Sequence, residues 1–336
     1  MKAILKRFLP ILLALALLVY TLRGLPLADL TSQLKQALPE WIIGAALIVT
    51  TQTLLRAIRW KMMLNSLGFR PTLGRALLAT MAGNVAGLII PGTGELIRCT
   101  LLYRSDGVPI PQSVGTAVGE RIADLMAVAV ILLVTLLVQT NRLVSYVSQY
   151  TSLNERYQQL SGLQLVLLIA GVVLAGLLGL WLIRLFWLAL PERYKFRDKL
   201  AGLQKGVSSV FNIPNLPVFL LVNILIHGLS LVAIYVLFLA LPITENLPFS
   251  AALTIVAVTS LGSITIPTQA NIGSYHFLAS RTLLMYAISL NNGVIWATFS
   301  HAVFTLTSLG LSLIGILPAL KYLNKRQDDN QTVQSK

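Results

Sequence analysis

The sequence predicts an all-α polytopic membrane protein: about six full spans plus two oppositely oriented re-entrant helical hairpins, related as an inverted repeat. Three observations predict it. Of 336 residues, 56% are hydrophobic and only 11% charged, where a soluble domain averages about 25% charged. Uncharged runs such as residues 163–183 and 218–241 approach the ~20 apolar residues that a bilayer-spanning helix needs. Basic residues gather in alternate loops, as they do on the cytoplasmic side of membrane proteins.

The elements follow in order. The first apolar run, 8–22, comes after Lys2, Lys6 and Arg7. Such a start also suits a signal peptide, but no small-x-small cleavage site follows, so it reads as a retained span. With a cytoplasmic N-terminus, residues 23–40, with two basic and two acidic residues, lie outside. The second span starts at 41, and residues 56–75 carry Arg56, Arg59, Lys61, Arg70 and Arg75 with no acid, placing them inside. Residues 76–103 hold two apolar runs, each too short for a ~30 Å core. Between them stands Pro91-Gly92-Thr93-Gly94, a strong breaker, so this segment reads as a hairpin that dips in and returns.

Residues 122–138 then cross outward, 141–162 form a weakly charged outer loop, and 163–190 return. The loop 191–205 sets five basic residues against Glu192 and Asp198 and lands inside. Residues 217–241 exit, 250–290 form a second hairpin entering from outside, and 294–320 return to the inner face. On this arrangement about 21 basic residues lie at or near the inner face and 5 at the outer one, the expected bias. A single crossing in place of the first hairpin would put the most basic loop outside. The order span, span, hairpin, span therefore occurs twice, over 1–140 and 141–326, with a polar tail at 327–336 that reads as disordered. Interrupted apolar segments at matching places in two halves point to a transporter's central site.

Several function classes are excluded. The net charge of +14 follows from topology, so no nucleic-acid partner is expected. Cys99 stands alone, which rules out an intrachain disulfide and a cysteine metal site. The longest stretch between apolar runs, 141–162, has no room for an ATPase. No P-loop, zinc-protease His pair or nucleophile elbow occurs. No cofactor, no metal and no enzymatic activity are expected.

Chemistry concentrates at the two breaks and the ionisable residues beside them. Bare backbone at membrane depth is tolerated only in protein or along a wet cavity, and helix N-termini facing that cavity favour anions. Ordinary extramembrane turns between tilted helices remain the alternative. Glu95 and Arg98 are three apart and share a helix face. Glu120 and Asp124, four apart, are a like-charge pair that needs a cation between them; Arg56, Arg59 and Arg98 are the candidates. Intramembrane charges are functional candidates by default, although they also hold helices in register. Arg56, Arg59 and Trp60 close the second helix as interface anchors, and arginine also grips phosphate. In the second break, His276 and Tyr275 are placed to line a cavity, while Gln269 and Asn271 suit a headgroup or the broken backbone. His227 and His301 read as packing residues.

These residues carry a resemblance. The run Arg56-Ala57-Ile58-Arg59-Trp60, then Asn84 and Pro91-Gly92-Thr93-Gly94-Glu95 through Arg98, then Glu120-Arg121 and Asp124, then Asn271-Ile272-Gly273-Ser274-Tyr275-His276, with Pro267 before it, resembles the flippase-like integral membrane family. That family is also known as the lysylphosphatidylglycerol synthase transmembrane region. The resemblance covers about residues 5–325. It implies an inner-membrane protein with two opposed re-entrant hairpins and a lipid-translocating role. The fused bacterial synthases carry a cytosolic aminoacyl transferase after the membrane part; none follows here, so that activity is not expected. Gln269-Ala270 stands where the family is richer in Pro and Gly, which implies a less sharply broken backbone.

Three functions compete. The first is a lipid flippase: Arg56, Arg59, Arg98 and Arg121 attract an anionic headgroup, while Glu95, Glu120 and Asp124 balance charge, gate or carry a proton. The second is a membrane-embedded enzyme of lipid headgroup modification using Glu120, Asp124 and His276, disfavoured because His276 falls in the other half. The third is a non-transporting scaffold for an envelope enzyme. The expected partners are a membrane lipid and a second copy or envelope enzyme; the expected location is the bacterial inner membrane with both termini cytoplasmic.

Overall fold

The computed structural model describes residues 2–23, 27–90, 92–150, 196–266 and 268–334. Among these residues every regular element is a helix: α1 (Lys2–Leu22), α2 (Leu27–Lys35), α3 (Pro39–Ser66), α4 (Leu73–Ile89), α5 (Thr93–Asp106), α6 (Ile110–Tyr150), α7 (Phe196–Ser208), α8 (Leu216–Leu239), α9 (Phe249–Thr265), α10 (Ser274–Leu284) and α11 (Leu290–Gln334). Four are long and apolar enough to cross a membrane: α3, the Ile110–Arg142 part of α6, α8, and the Leu290–Gly315 part of α11. Ile11–Leu22 of α1 and all of α9 are shorter apolar helices. The chain is a multi-pass membrane protein. The expected span over 163–190 and the start of the basic loop lie outside the described residues.

Local chemistry sets the helix ends. Pro39 opens α3 at a position where its missing N–H costs nothing. Thr72 accepts from the Arg75 N–H to cap α4, and Asn215 does the same for Val218 in α8. Gly107, at φ 71°, terminates α5 in the left-handed conformation that glycine adopts freely.

Two expectations are corrected. The outer loop predicted from residue 141 is helical to Tyr150, with non-helical dihedrals only at Gln139. Residues 141–150 contain no Gly or Pro to stop the helix. The polar tail predicted to be disordered is likewise helical to Gln334. No Gly or Pro follows Pro318, so nothing local ends that helix.

The packing is reciprocal. The first helix pair, α4–α5, lies against α11, and α9 of the second pair lies against α6, while α3 packs on α8. Within the first pair, Gly83 and Gly94 bring the two backbones together: a Cβ added at Gly94 would lie 2.5 Å from the Gly83 carbonyl oxygen. The main buried core joins α8, α9, α10 and α11, with Trp296 Nε1 donating to the Leu237 carbonyl at 3.1 Å. At the end of α6, Arg142 stacks 4.3 Å over the Tyr286 ring. Large apolar side chains such as Leu47, Ile224 and Ile314 face outward, as a lipid-facing surface requires.

Candidate functional site

Two polar clusters interrupt this apolar bundle. The first forms where α3, α5, α6 and α8 converge. Arg59, 1% exposed, donates from Nη1 to Asp124 Oδ1 and to Asn223 Oδ1, both at 2.6 Å. Its Nε lies 3.5 Å from Glu120 Oε1. Arg59 is therefore the cation between Glu120 and Asp124 that their spacing demanded. Arg98 donates from Nη2 to Glu120 Oε2 at 2.6 Å, and its Nε lies 2.5 Å from Glu95 Oε2. The Arg98 guanidinium sits 4.5 Å over the Trp60 ring, a cation–π arrangement, while Trp60 Nε1 donates to Thr116 Oγ1 at 2.9 Å. On the exposed side, Arg121 Nη2 donates to Glu95 Oε1 at 2.7 Å.

This pairing makes the buried charges tolerable. Glu120 is 4% exposed, and an unpaired ion at that burial costs several kcal/mol. Each carboxylate meets at least one guanidinium. The sequence reading assigned Arg59, Arg98 and Arg121 to headgroup attraction; the structure engages all three with carboxylates. Arg56, also assigned there, is partly buried and makes no ion pair with a described residue. Asp124 and Glu120 attract it at longer range, and Arg59 and Arg121 repel it.

The second cluster surrounds the two breaks. At the first, Ile90 is extended and Gly92 adopts φ 76° before α5 starts. Thr93 Oγ1 closes the turn by donating to the Ala86 and Ile90 carbonyls. At the second, Ala270, Asn271 and Gly273 all have positive φ, at 52°, 58° and 80°. The milder break implied by Gln269-Ala270 is thus corrected: two non-glycine residues there take the left-handed conformation, at roughly 1–2 kcal/mol each. Surrounding bonds hold them. His301 Nε2 lies 3.0 Å from the Ala270 carbonyl, the Gly273 N–H donates to His276 Nδ1 at 3.3 Å, and Tyr275 and Ser300 share a bond of 3.0 Å.

One side chain joins the breaks. Gln269 Nε2 donates to the carbonyls of Gly87 (2.8 Å) and Leu88 (2.6 Å). These belong to the last turn of α4, whose carbonyls lack helical partners. A residue from the second break therefore caps the helix that leads into the first.

The other predicted residues divide. Gly94 is in the interhelical contact described above. Asn84 is exposed on α4 and Asn271 is exposed in its turn; neither side chain joins the ionic cluster. Pro91 and Pro267 lie outside the described residues. Glu120 and His276 fall in different clusters. No group of three or more His, Cys, Asp or Glu among the described residues is arranged to hold a metal.

Sequence reasoning missed three participants. Asn223 accepts from Arg59, and His227 Nε2 lies 3.4 Å from Asp124 Oδ1. They are four apart on the most apolar helix, so they share a face; that pairing was the available signal. His301, read as packing, touches the second break and stacks near His276, with ring centroids 4.8 Å apart.

Comparison with known proteins gives a family. The model of the lysylphosphatidylglycerol synthase TM region matches residues 7–312. The glycosyltransferase AglD of Haloferax volcanii is 29% identical over 120 residues, covering 35% of this chain and 19% of that relative. The chain thus aligns with about a fifth of the length of the curated relative. No solved structure matches significantly. With nearly its whole length matched, the chain belongs to the lysylphosphatidylglycerol synthase TM region family.

Proposed function

We propose that this chain is a lipid flippase, moving a phospholipid or other polar-headgroup lipid between membrane leaflets along a polar groove where two re-entrant hairpins meet. The observation that carries this reading is the Gln269 bridge to Gly87 and Leu88. Helices α4 and α9 each have 17 residues, about 25 Å of rise, which is short of a ~30 Å core at any tilt. With α4 entering from inside and α9 from outside, their contacting ends belong within the bilayer. The reciprocal packing of α4 on α11 and α9 on α6 supports an inverted repeat of six spans and two hairpins. Polar backbone at that depth calls for a wet cavity, and a lipid headgroup is what such a cavity passes while acyl chains stay in hydrocarbon.

In this reading the chain is not an enzyme, sits in a bacterial inner membrane with both termini cytoplasmic, and works as a passive or ion-coupled path. The ionic cluster holds α3, α5, α6 and α8 around the groove. A second reading, a membrane part serving lipid or glycan modification, draws on the family and on the relative named a glycosyltransferase. Reconstitution separates them. Purified protein in liposomes is expected to speed the exposure of a headgroup-labelled phospholipid to an impermeant quencher. A rate equal to that of protein-free liposomes contradicts transport.

A further inference from the structure

The ionic cluster is not electrically closed. Four arginines (Arg56, Arg59, Arg98, Arg121) meet three carboxylates (Glu95, Glu120, Asp124), leaving a charge of +1. The surplus falls on Arg56. On α3 it lies between Gln52 and Arg59, and both of these are bonded across to α8. Gln52 Nε2 donates to the Ile226 carbonyl and Ser230 Oγ at 2.8 Å, and Arg59 donates to Asn223. Arg56, by contrast, makes no ion pair with any described residue. Ten residues of helix, about 15 Å, separate it from the inner end of α3.

The neighbouring donors are already turned to the cluster's own carboxylates: Arg59 Nε lies 3.5 Å from Glu120 Oε1 and His227 Nε2 lies 3.4 Å from Asp124 Oδ1. A charged group at membrane depth is expensive unless an opposite charge accompanies it. A guanidinium at this depth that has no carboxylate of its own calls for an oxyanion from outside the chain.

We infer that Arg56 is the receiving group of an anion site on the α3–α8 seam, and that its ligand is a phosphate ester. Arg56 binds the phosphate oxygens in the planar, charge-assisted manner that suits a guanidinium. Arg59 and Arg98 hold the cluster together and do not bind the ligand. That the phosphate comes from a lipid headgroup rests on the transport reading above; the site itself does not.

The test measures binding, not transport. Full-length protein in detergent is titrated with short-chain phosphatidylglycerol, and separately with inorganic phosphate, following the thermal unfolding midpoint. The wild type is expected to be stabilised in a saturable way. Arg56→Ala and Arg56→Gln are expected to weaken apparent affinity about tenfold or more, and Arg56→Lys to recover part of it. Stabilisation by the lipid alone identifies a headgroup; equal stabilisation by inorganic phosphate supports the same site with a soluble anion as ligand. Equal lipid affinity in the wild type and Arg56→Gln overturns the proposal, as does a wild type that neither probe stabilises. If liposomes show no flipping but Arg56-dependent binding persists, transport falls and the anion site stands.

Discussion

The side-chain amide of Gln269 donates to the main-chain carbonyl of Leu88 at 2.6 Å, across 181 positions of sequence. It supplies a helix end with a partner that its own backbone cannot. Gln269→Ala leaves the Gly87 and Leu88 carbonyls short of a donor, at about 1–3 kcal/mol. A lower thermal midpoint of the purified protein checks this. Gln269→Glu, which turns an acceptor toward those carbonyls, is expected to lower it further.

Glu120 is shared by two arginines, so removing its charge is costlier than removing a charge pair. Glu120→Gln is expected to destabilise by about 3–5 kcal/mol, read as loss of folded yield and midpoint. Arg98→Met combined with Glu120→Gln should recover much of that loss, because Arg59 keeps Asp124 and Arg121 keeps Glu95. If the double variant is worse than the sum of its parts, the pairing described here is wrong.

Glycines separate packing from propensity. Gly94→Ala forces a methyl against the Gly83 carbonyl, and should cost about 1–3 kcal/mol. Gly310 has nothing within 4 Å of an added Cβ, so Gly310→Ala should be neutral or stabilising by up to ~1 kcal/mol. Thermal midpoints of the two variants, compared side by side, check the contrast.

The charge pattern predicts which face each turn occupies. In a Cys99→Ser background, Glu245→Cys should react with an impermeant thiol reagent in intact cells. Lys205→Cys should react only after the membrane is opened. The reverse pattern inverts the topology.

Much of the architecture was legible because it rests on local signals. Runs of apolar residues located α3, α8 and both short helix pairs, and Pro-Gly-Thr-Gly marked the first break. The i, i+4 spacing of Glu120 and Asp124 called for a cation, and Arg59 supplies it. What stayed hidden depends on tertiary contact. Nothing in the sequence near Gln269 says that its partner is the end of α4. Asn223 and His227 look like isolated polar residues until α3 and α6 are packed beside them. The extension of α6 to Tyr150 was missed because low apolarity was read as a loop, where the absence of Gly and Pro decides the outcome.

The account depends on the two helix breaks meeting inside the bilayer. Spin labels at Ile90→Cys and Thr265→Cys, in a Cys99→Ser background, measure this in lipid membranes: both residues are exposed at the ends of their helices. Both labels are expected at a similar depth near the middle of the membrane and close to each other. Labels at opposite headgroup surfaces, about 30 Å apart, would contradict it.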